Sequence, residues 1–170
     1  MEALHDLVKA GKVRALGASA MYGYQFYNMQ LAARDNGWTP FSAMENHYNL
    51  LYREDERELL PICKQMKVSL MPYSPLAAGH LARPQWKSES LRGTTDREDM
   101  QIVKRVAELA EKYNCKMSQI AIAWQWAKGI LSPIIGATKT QYLDDSAGAF
   151  DIKLTAEDLA YLEEPYVPHE

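Results

Sequence analysis

The chain alternates about four times between a short apolar segment and a longer segment with helical periodicity. The apolar segments cover residues 13–19, 41–45, 68–71 and 131–135. Each is apolar on both faces and is bounded by small or turn-forming residues, which is typical of strands buried between helices. Parallel strands need crossover connections, and the intervening helices supply them. The sequence therefore predicts an α/β fold built on parallel strands.

Helices are predicted where apolar residues recur at three- and four-residue spacing. They cover residues 3–10, 23–36, 54–66, 99–113, 117–128, 140–149 and 155–164. Pro61 is unfavourable inside a helix, so the third helix is expected to begin near it or to be kinked. Thr155 and Asp158 have the spacing of a capping box, which opens the last helix. Residues 80–98 lack periodicity and are expected to form a flexible loop.

At 170 residues the chain is expected to form a single domain over residues 1–170. No Gly-x-Gly-x-x-Gly motif follows a predicted strand, which argues against a Rossmann domain. Two architectures remain, an open doubly wound sheet and part of a (β/α)8 TIM barrel. A complete barrel needs about 250 residues, so this chain could hold about half of one.

Composition excludes several classes of function. A net charge of −3 without a basic stripe argues against nucleic-acid binding. The longest apolar run, residues 120–127, is far shorter than the roughly 20 residues of a membrane span, and the start of the chain does not resemble a signal peptide. Cys63 and Cys115 have no metal-ligand spacing and are too few for a disulfide framework. These features predict a cytoplasmic protein with reduced thiols and no metal site.

The segment 70–79 is the first candidate for a binding site. Pro72 and Pro75 prevent the preceding strand from continuing as a central strand, so the chain must turn there. Ala77, Ala78 and Gly79 then offer backbone N–H groups with little side-chain bulk, which suits a phosphate or a planar ring. The alternative is an ordinary turn at the end of a strand.

Four segments, in this order and at this spacing, resemble the aldo-keto reductase family: Gly-Lys-Val-Arg-Ala-Leu-Gly-Ala-Ser at 11–19, Asn-His-Tyr-Asn-Leu-Leu-Tyr-Arg-Glu at 46–54, Pro-Tyr-Ser-Pro-Leu-Ala-Ala-Gly at 72–79 and Ile-Ile-Gly-Ala-Thr at 134–138. The resemblance implies a (β/α)8 barrel that binds NADP(H) without a Rossmann motif and reduces aldehydes and ketones by hydride transfer. The chain is similar to the carboxyl-terminal half of that barrel, strands five to eight with their helices.

The resemblance also implies a cofactor site at the carboxyl ends of the strands. Tyr73 would stack on the nicotinamide, although a tyrosine of the core is the alternative. Ser19 would bind the carboxamide of the cofactor. The pyrophosphate would be held by Ser74, Leu76 and the backbone from Ala77 to Gly79.

At the other end of the cofactor, the resemblance places the adenosine 2′-phosphate against four consecutive residues, which are Gly136, Ala137, Thr138 and Lys139. Lys139 is the candidate that neutralises the phosphate, with a solvated lysine at a helix start as the alternative. Asp145 would lie near the adenine amino group.

Three positions depart from the family pattern. Ala20 replaces an asparagine, Glu45 replaces a glutamine, and Tyr142 replaces an arginine found in many members. Ionised Glu45 accepts hydrogen bonds but cannot donate them. NADP(H) is still the expected cofactor, while the preference for NADP over NAD stays open.

No segment resembles the strands on which the family carries its catalytic Asp, Tyr, Lys and His, so no catalytic residue is predicted. His47 and Tyr48 are predicted to be structural. Two hypotheses follow. In the first, the chain is the cofactor half of a reductase of small-molecule carbonyl substrates, with the proton-donating tyrosine outside the chain. In the second, it is a non-catalytic, self-associating half-barrel that binds nucleotide weakly.

Self-association is expected in either case. A half-barrel leaves the apolar strands 13–19 and 131–135 as edges, and unpaired edges promote association. Because closed symmetric assemblies are the commonest outcome, we expect a homo-oligomer, most simply a dimer.

Overall fold

The computed structural model describes residues 1–83 and 97–169, in which three parallel strands lie among helices. The strands are β1 (Leu16–Ser19), β2 (Phe41–Glu45) and β3 (Ser69–Leu70), paired in the order β1-β2-β3. The helices are α1 (Glu2–Lys9), α2 (Gly23–Asp35), α3 (Leu59–Met66), α4 (Arg97–Lys112), α5 (Met117–Ala127), α6 (Thr140–Ala147) and α7 (Ala156–Glu163). Short 3₁₀ helices cover Glu54–Arg57 and Gly148–Asp151, and two 3₁₀ turns joined by a kink at Ala78 and Gly79 cover Ala77–Ala82. The predicted α/β fold with parallel strands is confirmed.

Several predicted boundaries shift for local reasons. The third helix divides into the 3₁₀ helix Glu54–Arg57 and α3, and Pro61 lies in the first turn of α3, where a missing N–H breaks no helical hydrogen bond. The capping box of Thr155 and Asp158 is present at the start of α7. Of the predicted loop 80–98, the first residues belong to the kinked 3₁₀ segment Ala77–Ala82 and the last to α4. Its central part, residues 84–96, lies outside the described residues.

The prediction of a fourth strand at residues 131–135 is wrong. The N–H groups of Met71 and Tyr73 donate to β2 and its extension, so Pro72 faces the opposite edge of the strand. There the carbonyl of Pro72 accepts one bond from the N–H of Ile134 at 2.8 Å. Because Pro72 lacks an N–H, it cannot donate back to the neighbouring segment, and a regular ladder cannot form between the two. Residues 131–135 therefore lie beside β3 without being a strand.

The core consists of two apolar clusters. The first packs β1 and β2 against α2 and α3 and contains Leu16, Ala18, Phe26, Phe41, Met44, Leu59, Cys63 and Val68. The second surrounds α4 and α5, with Trp124, Ile120 and Tyr48 fully buried at its centre. Burial alternates along β1, where Leu16 and Ala18 are buried but Gly17 and Ser19 are exposed. The expectation that every strand is buried on both faces is thus wrong for β1, because its second face has no packing partner among the described residues.

One arginine ties the loop after β2 to the last helix. The Arg53 guanidinium, whose side chain is 11% exposed, contacts Glu56 at 2.8 Å and Glu163 at 2.9 Å. Glu163 also accepts hydrogen bonds from Trp124 at 2.9 Å and from Lys128. Lys128 also reaches both carboxylates, at 3.6 Å from Glu56 and 3.3 Å from Glu163, so Arg53 is the nearer of their two cations. The carboxylates are mostly removed from water, which makes the loss of the nearer cation costly.

Replacing Arg53 by methionine should lower the free energy of unfolding by about 3 kcal/mol, since two partly buried carboxylates would lose their main counter-charge. Urea unfolding followed by circular dichroism measures this change. The matched control is R34M, which removes an ion pair to Asp35 whose side chains are 70% and 59% exposed. The control should stay within about 0.5 kcal/mol of the wild type. Equal stability of R53M and R34M would contradict this role for Arg53.

Candidate functional site

The carboxyl ends of the three strands meet at one edge of the sheet. Ser19 at the end of β1 is the register partner of Glu45 at the end of β2. The pairing continues past the strands, because the N–H of Ala20 donates to the carbonyl of Glu45 and the N–H of Tyr73 donates to the carbonyl of Asn46, both at 2.9 Å. Ser19, Glu45 and Tyr73 therefore line neighbouring positions of one edge.

A cavity of about 960 Å³ adjoins this edge. It lies between the turn after β3, the α4–α5 junction, the segment after residue 133, and α6. Six of the predicted cofactor residues line it, namely Ser74, Leu76, Gly79, Gly136, Tyr142 and Asp145. Its volume lies at the upper end of the range of small-molecule and cofactor pockets.

The remaining predicted residues lie outside the cavity lining. Ser19, Glu45 and Tyr73 occupy the strand edge, while Ala77, Ala137, Thr138 and Lys139 do not contribute to the wall. Lys139 precedes the first residue of α6, is exposed, and holds its ammonium 5.9 Å from the ring centre of Tyr142. It is therefore placed at the margin of the cavity rather than in it.

The turn after β3 has an unusual backbone. Ser74, Ala77 and Ala78 have φ values of 55°, 47° and 53°, and Gly79 has a φ of 95°. Left-handed backbone at residues other than glycine is uncommon and concentrates at functional sites. The N–H groups of Ala77 and Gly79 donate to the carbonyls of Ser74 and Leu76, both at 2.9 Å. These two N–H groups are thus engaged within the turn in this conformation.

Arg83 is a candidate that the sequence reasoning missed. It lines the cavity, and a Cβ added at Gly79 would lie 3.3 Å from its Nη2 atom, so the guanidinium packs directly against that glycine. Arg83 forms no salt bridge within the part of the chain that the structure describes. A cation that directly follows a turn of small residues is the signal that could have found it.

An ion pair lies on the opposite wall of the cavity. The Lys116 ammonium contacts both carboxylate oxygens of Asp145, at 2.6 Å and 2.7 Å. Lys116 immediately precedes α5, and Asp145 belongs to α6, so the pair fixes one helix against the other. Sequence reasoning identified Asp145 but missed Lys116, because their contact depends on how the two helices pack.

His47 and Tyr48 point in different directions and do not form a proton-donating pair. Tyr48 is fully buried, and its hydroxyl donates to Glu56 at 2.5 Å. Burial and the contact with Glu56 raise the pKa of the Tyr48 phenol, which keeps it neutral. His47 instead stacks on Tyr73, and burial lowers the pKa of its imidazole. Within the described ranges, no group of three or more His, Cys, Asp or Glu side chains could hold a metal ion.

Comparison with known protein families assigns the chain to one of them. A sequence profile of the Aldo/keto reductase family matches residues 1–166. The chain belongs to that family. Over the two described ranges, no helix is both long and apolar enough to cross a membrane.

Curated relatives agree with this assignment. A versiconal hemiacetal acetate reductase of Aspergillus parasiticus is 44% identical over 181 residues, which is 99% of this chain and 52% of the relative. A Schizosaccharomyces pombe protein, named provisionally as an aryl-alcohol dehydrogenase, is 46% identical over 178 residues, with 99% of this chain and 50% of the relative covered. The chain thus spans about half the length of these relatives.

A solved structure shows the same fold. The crystal structure of a thermostable aldo-keto reductase in complex with the inhibitor epalrestat superposes with a TM-score of 0.75 at 24% identity. The superposition covers 96% of this chain and 53% of that protein.

Proposed function

We propose that this chain is the NADP(H)-binding, carboxyl-terminal half of a (β/α)8-barrel oxidoreductase that reduces aldehydes and ketones to alcohols. The observation that carries the proposal is the juxtaposition of Tyr73, at the shared edge of the strands, with the 960 Å³ cavity that begins at Ser74. An aromatic face next to a deep cleft with a cation in its wall suits a ligand with a planar ring at one end and phosphates beyond it.

The residues present fit such a cofactor. Tyr73 would support the nicotinamide, with Ser19 and Glu45 beside it on the same edge. Ser74 and Arg83 would contact the pyrophosphate, and the absence of a side chain at Gly79 lets the guanidinium lie close to this turn. Tyr142 and Asp145 lie at the α6 wall, where the adenosine end would fit.

When bound, the cofactor supplies a hydride to a carbonyl carbon, and the resulting alkoxide needs a proton. No described residue at the strand edge is placed in that role here, and we propose that the donor is a tyrosine outside these 170 residues. The chain's own contribution is to hold and orient the cofactor. The names of the two fungal relatives support a substrate class of aldehydes, ketones and the corresponding alcohols.

Asp145 and Lys139 bear on the choice between NADP and NAD. Two lysines lie near this end of the cavity. Lys116 is paired with Asp145, so its charge is balanced. Lys139 forms no salt bridge with a described residue. An unpaired ammonium at the margin of the cavity favours NADP, whose 2′-phosphate it would contact. The proposed location is the cytoplasm.

Replacing Tyr73 by alanine should weaken NADPH binding about fivefold, since one aromatic stacking contact is worth about 1 kcal/mol. Titration of the whole chain into NADPH, followed by the fluorescence of the dihydronicotinamide, measures the affinity. Y24A is the matched control, because Tyr24 is 58% exposed on α2 and stacks on Tyr22. Failure of the wild-type chain to alter NADPH fluorescence at high micromolar concentration would remove the cofactor role.

Substitutions of Arg83 and Lys139 should distinguish contacts to the pyrophosphate from contacts to the 2′-phosphate. R83A should weaken binding of NADPH and NADH alike, by about tenfold, because both carry the pyrophosphate. K139A should weaken NADPH but leave NADH within about twofold, since NADH lacks the 2′-phosphate. Calorimetric titration of both variants with both nucleotides in low salt tests this. A uniform loss for K139A, or no loss for R83A, would contradict the assignments.

We also propose that the chain self-associates as a dimer through its open strand edge. The outer edge of β1 pairs with no described residue, and an unpaired edge is a template for another strand. Light scattering after size exclusion should give twice the mass of the 19.3 kDa chain. A compact monomer at all concentrations would contradict this proposal.

A further inference from the structure

Three aromatic rings form a stack that includes Tyr73, the residue proposed to support the nicotinamide. The other two rings belong to His47 and Tyr52. The His47 ring is 5.0 Å from the Tyr73 ring with an angle of 3° between their planes. Its other face is 4.3 Å from the Tyr52 ring, at 20°. A ring packed on both faces has little freedom to tilt, and it transmits that restraint to its neighbours.

Asn49 connects the same histidine to the backbone of the turn after β3. The Asn49 amide nitrogen lies 3.3 Å from Nε2 of His47 and donates to the Ser74 carbonyl at 2.9 Å. The amide oxygen of Asn49 accepts from the N–H of Leu51 at 2.9 Å, which fixes the orientation of the amide. Asn49 is 1% exposed, so these bonds are shielded from water.

The hydrogen-bonding pattern also defines the state of the imidazole. Since Asn49 presents a donor, Nε2 of His47 must accept, and the ring is neutral with its proton on Nδ1. Burial also lowers the pKa of His47, which favours the neutral ring. Tyr52 and Tyr73 stack on the ring, and the Asn49 amide meets its Nε2 atom.

We propose that His47 is a positioning residue that fixes the plane of Tyr73 by stacking on it, and thereby orients the nicotinamide half of the cofactor. The proposal rests on the proposed cofactor role of this edge. Because His47 covers one face of Tyr73, the opposite face alone can receive a planar ring. His47 would thus decide the side from which the nicotinamide stacks.

Two substitutions separate the ring of His47 from its hydrogen bond. H47F keeps an aromatic ring but loses the acceptor for Asn49, whereas H47Q keeps an acceptor but loses the ring. H47Q should weaken NADPH binding about fivefold, because Tyr73 loses its stacking partner. H47F should weaken it by less than twofold, because the stack is kept and Asn49 remains bonded to Ser74 and Leu51. H47L serves as a second ring-free variant if H47Q does not fold.

A ligand that lacks the nicotinamide shows whether His47 acts on that end of the cofactor alone. 2′-Phospho-ADP-ribose carries the adenosine, the pyrophosphate and the 2′-phosphate but no nicotinamide, so its affinity should change by less than twofold in H47Q. Calorimetry with the two ligands measures this difference, and near-ultraviolet circular dichroism should report a loss of Tyr73 ordering in H47Q alone. H5A is the matched control, since His5 bonds Thr39 at 2.9 Å on α1, away from the stack.

The outcomes separate the two proposals. Equal weakening of both ligands in H47Q, or equal weakening of NADPH by H47F and H47Q, would overturn the positioning role while leaving cofactor binding intact. Unchanged NADPH affinity in H47Q would do the same. If the wild-type chain binds neither ligand, the proposed function itself fails, and the positioning role fails with it.

Discussion

The parallel pairing of strand ends is the constraint on which the rest of the structure depends. Three backbone hydrogen bonds continue the alignment beyond the regular strands: Ala20 to Glu45, Tyr73 to Asn46, and Ile134 to Pro72. They bring segments more than one hundred residues apart in the chain to one edge. Because each bond is made by main chain, the side chains at that edge are free to serve a ligand. The candidate site follows from the backbone before any side chain is considered.

The segment that follows β2 links this site to the stability of the whole domain. His47 and Asn49 contact the turn after β3, and four residues later Arg53 contacts Glu163 at the end of α7. The N–H of Arg53 also donates to the hydroxyl of Tyr166 at 2.7 Å. One short loop therefore supports the strand edge of the candidate site on one side and holds the last helix on the other. The loop lacks regular secondary structure, and these contacts satisfy its polar groups at both of its ends.

The parts of the fold that depend on local pattern could be predicted from the sequence. Helical periodicity located α2, α4 and α5, and the convergence of parallel strands placed Ser19 and Tyr73 at the same edge of the sheet, on either side of the β2 segment. What failed depended on contacts between distant residues. The apolar run at 131–135 resembles a strand by composition, yet the partner it meets presents a proline. Arg83 and Lys116 reach the cavity through side-chain geometry that no sequence spacing encodes.

The two prolines have a consequence for how the molecule could assemble. Pro72 takes a donor away from the outer edge of β3, and Pro133 takes one from the segment beside it, so that side of the sheet is poorly suited to add a further strand. The two sides of the sheet are therefore unequal. A chain with one competent side can join a single neighbour about a two-fold axis and is then saturated, whereas two competent sides would permit indefinite growth. In the proposed dimer, the prolines would thus favour a closed pair over fibres.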